Sequence, residues 1–306
     1  MDTKFKAMLT VTVAVSALSI ANTAWAAPTS YPTPNVVTTA GATQFTFGGK
    51  TFVNQGLQGM GRIAAGSTDF LGGTFGAFSG MDLDPSSWRK TATGGYTGTL
   101  FALPDRGPNG IGSVTFSDYA ARVSTFTIGL TPYTGTADLP AAVTSQNQLT
   151  FTANGGIVLK DFNGNVTTGF DPPPGAAGVV TQNGITLPGQ TTDVAAGKLS
   201  FDSEGLRFLS DKSFYVSDEY GANVYYFDAA GNLKGVIKPP SALQPRNAAG
   251  DLTFNSTGTA NVTGRRGNQG VEGFAVTPDG KKLVSLLQSA PVQDSPGSQA
   301  NRTNTR

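Results

Sequence analysis

The 306-residue sequence contains no histidine and no cysteine, and only 13% of its residues are charged. Without imidazole there is no Ser-His-Asp triad, no histidine-phosphatase chemistry and no His-ligated zinc. Without a thiol there is no cysteine nucleophile, no disulfide framework and no iron–sulfur centre. An excess of either charge is lacking too. Lys and Arg number 21 against 20 Asp and Glu, and no dense basic block occurs, which argues against binding to nucleic acid or an anionic membrane. Chemistry must therefore come from carboxylates, hydroxyls, amides, Lys, Arg or a hard metal. The 40 Gly and 18 Pro stay below the roughly 25–30% that marks low-complexity chains, so the composition is that of a turn-rich globular protein.

Long hydrophobic runs are scarce as well. The main one is Ala7 to Ile20, preceded by Lys4 and Lys6 and followed by Ala24-Trp25-Ala26. A basic start, a short apolar centre and small residues at the cleavage positions predict a secretory signal peptide over residues 1–26. Its apolar centre falls short of the roughly 20 residues a membrane span needs. The expected mature protein, residues 27–306, is secreted or periplasmic, without a membrane span. Removing Asp2, Lys4 and Lys6 leaves 19 residues of each charge.

What is present is a set of short alternating runs rich in Val, Phe, Tyr, Thr and Leu, divided by Gly, Asn, Asp and Pro. Phe45-Thr46-Phe47, Gly156 to Leu159 and Asn223 to Phe227 are examples, and Asn163-Gly164 is a strong hairpin turn. Three segments share one pattern: a polar residue, a Gly, an alternating strand, a tight turn and a second alternating strand. They are Ser79 to Pro85 with Thr99 to Gly107, Ser203 to Phe208 with Ser213 to Gly221, and Val271 to Val276 with Lys282 to Gln288. Asn223 to Phe227 and Leu233 to Ile237 add a second hairpin to the middle unit. Two hairpins make a four-stranded antiparallel blade, and stacked blades bury both faces of each sheet. The expected fold is all-β, a β-propeller of four-stranded blades forming one domain over residues 27–306. A β-sandwich with accidental repeats is the rival. The chain stops in the polar stretch Asn301 to Arg306 just after a unit's second strand, so the propeller is expected to be incomplete, with its last blade or blades missing.

Phe78-Ser79-Gly80-Met81-Asp82, Leu103-Pro104-Asp105-Arg106-Gly107, Ser203-Glu204-Gly205, Ser217-Asp218-Glu219-Tyr220-Gly221 and Val271-Glu272-Gly273-Phe274 with Thr277-Pro278-Asp279-Gly280 together carry a resemblance. In this order they resemble the phytase-like domain family, described by an esterase-like activity of phytase. The resemblance implies a secreted or periplasmic β-propeller, related by analogy to calcium-dependent propeller phytases, acting on phosphomonoesters or phytate.

The repeat also places acids. Glu204 and Glu272 precede the Gly of their units, where Ser79 stands in the first; Asp105, Asp218 and Gln288 end the second strands. The start of one antiparallel strand and the end of its partner share an edge. Asp82, Asp105, Glu204, Asp218, Glu219 and Glu272 are therefore expected at one rim. Crowded carboxylates need a cation, and an all-oxygen ligand set favours a hard one such as Ca²⁺. Arg106 is the expected phosphate clamp, with Arg207 and Lys212 as weaker candidates, and Glu204 and Glu272 the expected catalytic acids. The expected partner is a small anionic substrate such as a phosphate ester. A non-catalytic envelope propeller that binds a ligand at this rim, or a carboxylic-ester hydrolase using Ser–Lys or a metal-activated water, are the alternatives. Gly59-Met60-Gly61-Arg62 mimics a dinucleotide motif but lacks a surrounding βαβ unit. Asp161-Phe162-Asn163-Gly164-Asn165 lacks the sixth-position Gly and twelfth-position Glu of a calcium loop.

Overall fold

Alternation with period two dominates the chain, and strands follow from it. The computed structural model describes residues 43–54, 57–107, 117–135, 147–258 and 260–294. The expected signal peptide and the polar stretch from Asn301 to Arg306 lie outside the described residues. Among them are fifteen strands and four short 3₁₀ turns.

Strands β1 (Thr43–Phe47) and β2 (Lys50–Asn54) form a hairpin. The first large sheet contains β3 (Phe78–Leu83), β4 (Arg89–Lys90), β5 (Tyr96–Pro104), β6 (Arg122–Leu130) and β7 (Leu149–Val158), in the order β3-β5-β6-β7, with β4 on β5. A small hairpin, β8 (Val179–Gln182) and β9 (Ile185–Pro188), follows. Its turn is Asn183-Gly184, with φ of 49° and 73°, the backbone an Asn-Gly hairpin requires. The second large sheet is the meander β10 (Ser203–Phe208), β11 (Phe214–Asp218), β12 (Val224–Phe227) and β13 (Leu233–Ile237). The hairpin β14 (Val271–Val276) and β15 (Leu283–Leu287) completes the described strands. The fold is all-β, with antiparallel pairing in every sheet. All three repeated units form the hairpins their sequences predict.

The second sheet lies between the first sheet and the last hairpin, with β10 packed against β3, β5 and β14. This explains why β10 is buried at five of its six positions instead of alternating, as strands covered on both faces are. Phe101, Phe208, Phe214 and Phe227 stack in sequence across the junction, with centroids 3.8, 4.7 and 5.4 Å apart. Around them Leu103, Val123, Leu199 and Val216 are fully buried. Polar ties reinforce the same junction. Ser203 Oγ donates to the Pro104 carbonyl at 2.7 Å, and Lys212 pairs with Asp84.

Asp82 belongs to this junction. Its two oxygens accept from Arg207 and from the Phe208 backbone N–H, each at 2.7 Å. In the register of the β3–β5 pair Asp82 lies opposite Phe101, whereas Phe78 lies opposite Pro104, the residue before Asp105. Asp82 therefore sits about 13 Å along the strand from the edge that Asp105 occupies. Arg207 and Lys212, the weaker phosphate candidates, are each engaged in ion pairs here. The Gly59–Arg62 segment lies outside any helix or strand, with the Leu149 N–H donating to the Met60 carbonyl at 3.0 Å.

Replacing Asp82 by Ala leaves the buried Phe208 N–H without its acceptor. We expect a loss of about 2–3 kcal/mol in urea unfolding, with divalent-cation affinity unchanged. A loss of cation binding in this variant, with stability intact, would return Asp82 to the acidic site.

Candidate functional site

The three repeats share a feature beyond their strands: each carries a register shift at its opening. It falls between Phe78 and Gly80 in β3, between Ser203 and Leu206 in β10, and between Val271 and Gly273 in β14. Ser79 and Glu272 are the extra residues of their units, and in β10 the extra residue lies within Glu204-Gly205. A bulge bends its strand and re-aims a side chain, and here it turns the opening polar residue of each unit toward its neighbours. The following glycines allow the strands to approach. A Cβ on Gly80 would collide with the Glu204 carbonyl, and one on Gly205 would lie 2.7 Å from the Phe274 ring.

The result is a cluster of five carboxylates. Oxygens of Asp105, Asp202 and Glu204 lie within 4.8 Å of one another, as do oxygens of Glu204, Glu219 and Glu272. Asp105 follows β5, Asp202 immediately precedes β10, Glu204 is the second residue of β10, Glu219 follows β11 and Glu272 is the second residue of β14. The Glu219 N–H donates to the Asp202 carbonyl at 2.9 Å, locking two of these segments together. Asp202, Glu204 and Glu219 are buried, and Glu272 is half-buried. Ser79, in the place equivalent to Glu204 and Glu272, contributes a hydroxyl bond to Glu204.

Two oxygens define the chemistry of the cluster. Asp202 Oδ1 and Glu219 Oε1, on side chains almost wholly removed from solvent, receive no hydrogen bond. They face other carboxyls: Asp202 meets both Asp105 and Glu219 at hydrogen-bond range, and Glu204 meets Glu272 in the same way. Such contacts form only if a proton is shared or a cation intervenes. Burial, then Glu272, Glu219 and Asp105, pushes Glu204 up to about 9. Burial and Asp105 hold Asp202 well above the usual carboxylate range. Burial and Glu272 raise Glu219, and burial and Asp105 raise Glu272.

Two arginines act on the cluster. Arg106 donates from Nη1 to Asp202 Oδ2 at 2.6 Å, and its guanidinium carbon lies 5.9 Å from the Tyr220 ring centroid. Burial works against its charge, and Asp202, Tyr220 and Asp105 together more than offset that. Arg265, fully buried, donates to the carbonyls of Tyr220 and Phe254, each at 2.6 Å. It thereby fixes the backbone beside Glu219 while countering the acids.

Of the residues singled out in the sequence, the structure brings together Asp105, Glu204, Glu219, Glu272 and Arg106. It keeps Asp82 apart, bound to Arg207 in the sheet junction. Asp218 is adjacent but turned to the backbone: its oxygens accept from the Asp202 N–H at 3.0 Å and the Gly221 N–H at 2.6 Å. Burial pushes it up to about 7 while these donors pull the other way. Asp218 therefore positions Asp202 and the Glu219 turn. Asp202 and Arg265 have no counterpart in the sequence reading. Asp202 stands two residues before Glu204, a same-face spacing in a strand, and that spacing is the signal that would have found it.

The Phytase-like family, described as "Esterase-like activity of phytase", matches residues 73–306. The chain belongs to this family. A protein of Arthroderma benhamiae called "Uncharacterized secreted protein" is 32% identical over 267 residues, covering 79% of this chain and 50% of that protein. The chain thus spans about half the length of this curated relative. Among the described residues, no helix is long and apolar enough to cross a membrane.

Raised carboxylate pKa values set a pH dependence. Between the ordinary value of 4.5 and about 9 for Glu204, the folded state holds a proton that the unfolded chain releases, so stability falls as pH rises through that window. We expect the chelator-treated protein to melt at lower temperature at about pH 8 than at about pH 5.5, and added Ca²⁺ to raise the melting temperature more at the higher pH. Equal shifts at both values would contradict the assignment.

Proposed function

We propose that this protein is a secreted phosphoesterase that depends on a divalent cation, built on a β-propeller of which the two large sheets and the last hairpin are blades. The observation that carries this reading is the pair of buried oxygens, Asp202 Oδ1 and Glu219 Oε1, that no N–H or O–H satisfies. An unsatisfied buried carboxylate oxygen is costly, and a donor set of oxygens alone fits a hard cation, Ca²⁺ before Mg²⁺. The successive packing of β3, β10 and β14 supports the propeller. The family match and the secreted relative support phosphoester hydrolysis outside the cell.

Asp105, Asp202, Glu204, Glu219 and Glu272 would hold the cation. Bound there, it supplies Lewis acidity toward phosphoryl oxygens and makes water a stronger acid. The residues around it have separate tasks. Arg106, fixed over Tyr220 and alongside Asp202, orients an anionic phosphate. Glu204 and Glu272, which meet as a carboxyl pair, hold and pass the proton of an attacking water. Asp218, through its two backbone bonds, keeps Asp202 and the Glu219 turn in place. The Phe274 ring packs closely against Gly205, beside Glu204.

Hydrolysis of a chromogenic phosphomonoester, with Ca²⁺ and with chelator, tests the proposal. We expect turnover that chelation abolishes, and a loss on the order of 100-fold or more when Glu219 becomes Gln. Turnover that survives both treatments would overturn it, as would cation binding without turnover on any phosphoester, which would leave a ligand-binding role.

A further inference from the structure

We infer that two copies of this chain dock head to tail and close into one six-bladed ring, an inference that rests on the propeller reading above. The repeat supplies the argument. In each unit the opening polar residue is followed by a Gly and then by an apolar residue: Gly80-Met81, Gly205-Leu206 and Gly273-Phe274. The apolar residue of one unit fills the gap at the Gly of the unit before it. A Cβ on Gly80 would lie 3.1 Å from Leu206 Cβ, and one on Gly205 would lie 2.7 Å from the Phe274 ring. Among the described residues this series leaves over one gap and one projecting side chain. A Cβ on Gly273 would meet no described residue within 4 Å, and Met81 is 63% exposed.

The surroundings of both suit such a contact. Gly273 pairs with Leu286 and Ala275 with Val284, so the four share one face of the last hairpin. All four are exposed, Val284 at 58% and Leu286 at 61%, and none is charged. Open apolar faces of this kind mark interaction surfaces. On the Met81 face of β3 and β5, Ala102 is buried and Leu83 and Leu100 pack against the cluster of Phe75 and Phe126, which leaves Met81 standing clear. The gap and the side chain lie at opposite ends of the row β3, β10, β14, so Met81 has to come from another copy. A head-to-tail contact either closes into a ring or runs on as a filament, and propellers hold about 4–8 blades. One chain supplies three repeated units, two chains six, and three chains nine, so two copies satisfy closure. The ring would also set the partner's Ser79 beside Glu272, as Ser79 stands beside Glu204 within one chain.

Light scattering on the purified full chain should read twice the monomer mass. Met81→Asp, a change at an exposed side chain, should halve that mass while melting curves show the chain still folded. The absence of cysteine makes cross-linking the sharper arm. An equimolar mixture of Met81→Cys and Gly273→Cys chains should form disulfide-linked dimers on mild oxidation, because the equivalent approach of Leu206 to Gly80 is close to the Cβ–Cβ span of a disulfide. Neither variant alone should cross-link. Cross-linking of either variant alone would show a like-to-like interface and overturn the ring, as would a wild type that stays monomeric at high concentration or assembles beyond two copies. A monomer whose phosphoester turnover is chelator-sensitive would overturn the ring and leave the enzyme reading in place. A cross-linked pair without such turnover would support the ring and overturn the enzyme reading alone.

Discussion

Mutual repulsion among carboxylates is the constraint on which the site depends. Asp202, Glu204 and Glu219 are buried within reach of one another and of Asp105 and Glu272, with Arg106 and Arg265 in opposition. In a water-poor environment like charges at such distances cost far more than at the surface. A fold that holds them there must either keep them protonated, as the rise of Glu204 to about 9 indicates, or neutralise them with a cation. The hydrogen bonds that would settle an ordinary structural acid, such as those Asp82 and Asp218 receive from backbone N–H groups, are missing at Asp202 Oδ1 and Glu219 Oε1.

The way the fold meets this constraint is local and repeated. Each unit opens with a bulge followed by a glycine. The bulge aims Ser79, Glu204 or Glu272 at the cluster, and the glycines at 80 and 205 bring β3, β10 and β14 close enough for those side chains to meet. The stacked Phe101, Phe208, Phe214 and Phe227 and the Asp82 ties hold the sheets together behind them. Apolar packing thus supplies the stability that the acids oppose, and Asp218 and Arg265 set the backbone that carries Asp202 and Glu219.

Much of this arrangement was legible in the sequence, because the repeat that forms the hairpins also places the acids. Glu204 and Glu272 could be paired by position alone, and Asp105 and Glu219 by the rule that strand ends meet strand starts. Asp82 was misplaced because that rule ignores register: it lies four residues into β3, and only the pairing with Phe101 shows how far from the edge that is. Asp202 was hidden because it precedes the repeated pattern and joins the cluster through the Glu219 N–H bond to its carbonyl. Arg265 comes from an irregular stretch without periodicity, so no pattern could connect it to acids more than 40 residues earlier. The burial of β10 on both faces was likewise invisible, since alternation reports one covered face and not the arrival of a second sheet.

The most direct test of the central claim is anomalous diffraction from crystals grown with Mn²⁺, which scatters strongly and takes oxygen ligands. The account predicts anomalous density at coordination distance from Glu204, with Asp202 Oδ1 and Glu219 Oε1 as ligands. A cluster free of anomalous density, with Glu204 and Glu272 sharing a proton and the orphan oxygens bound only to water, would contradict it.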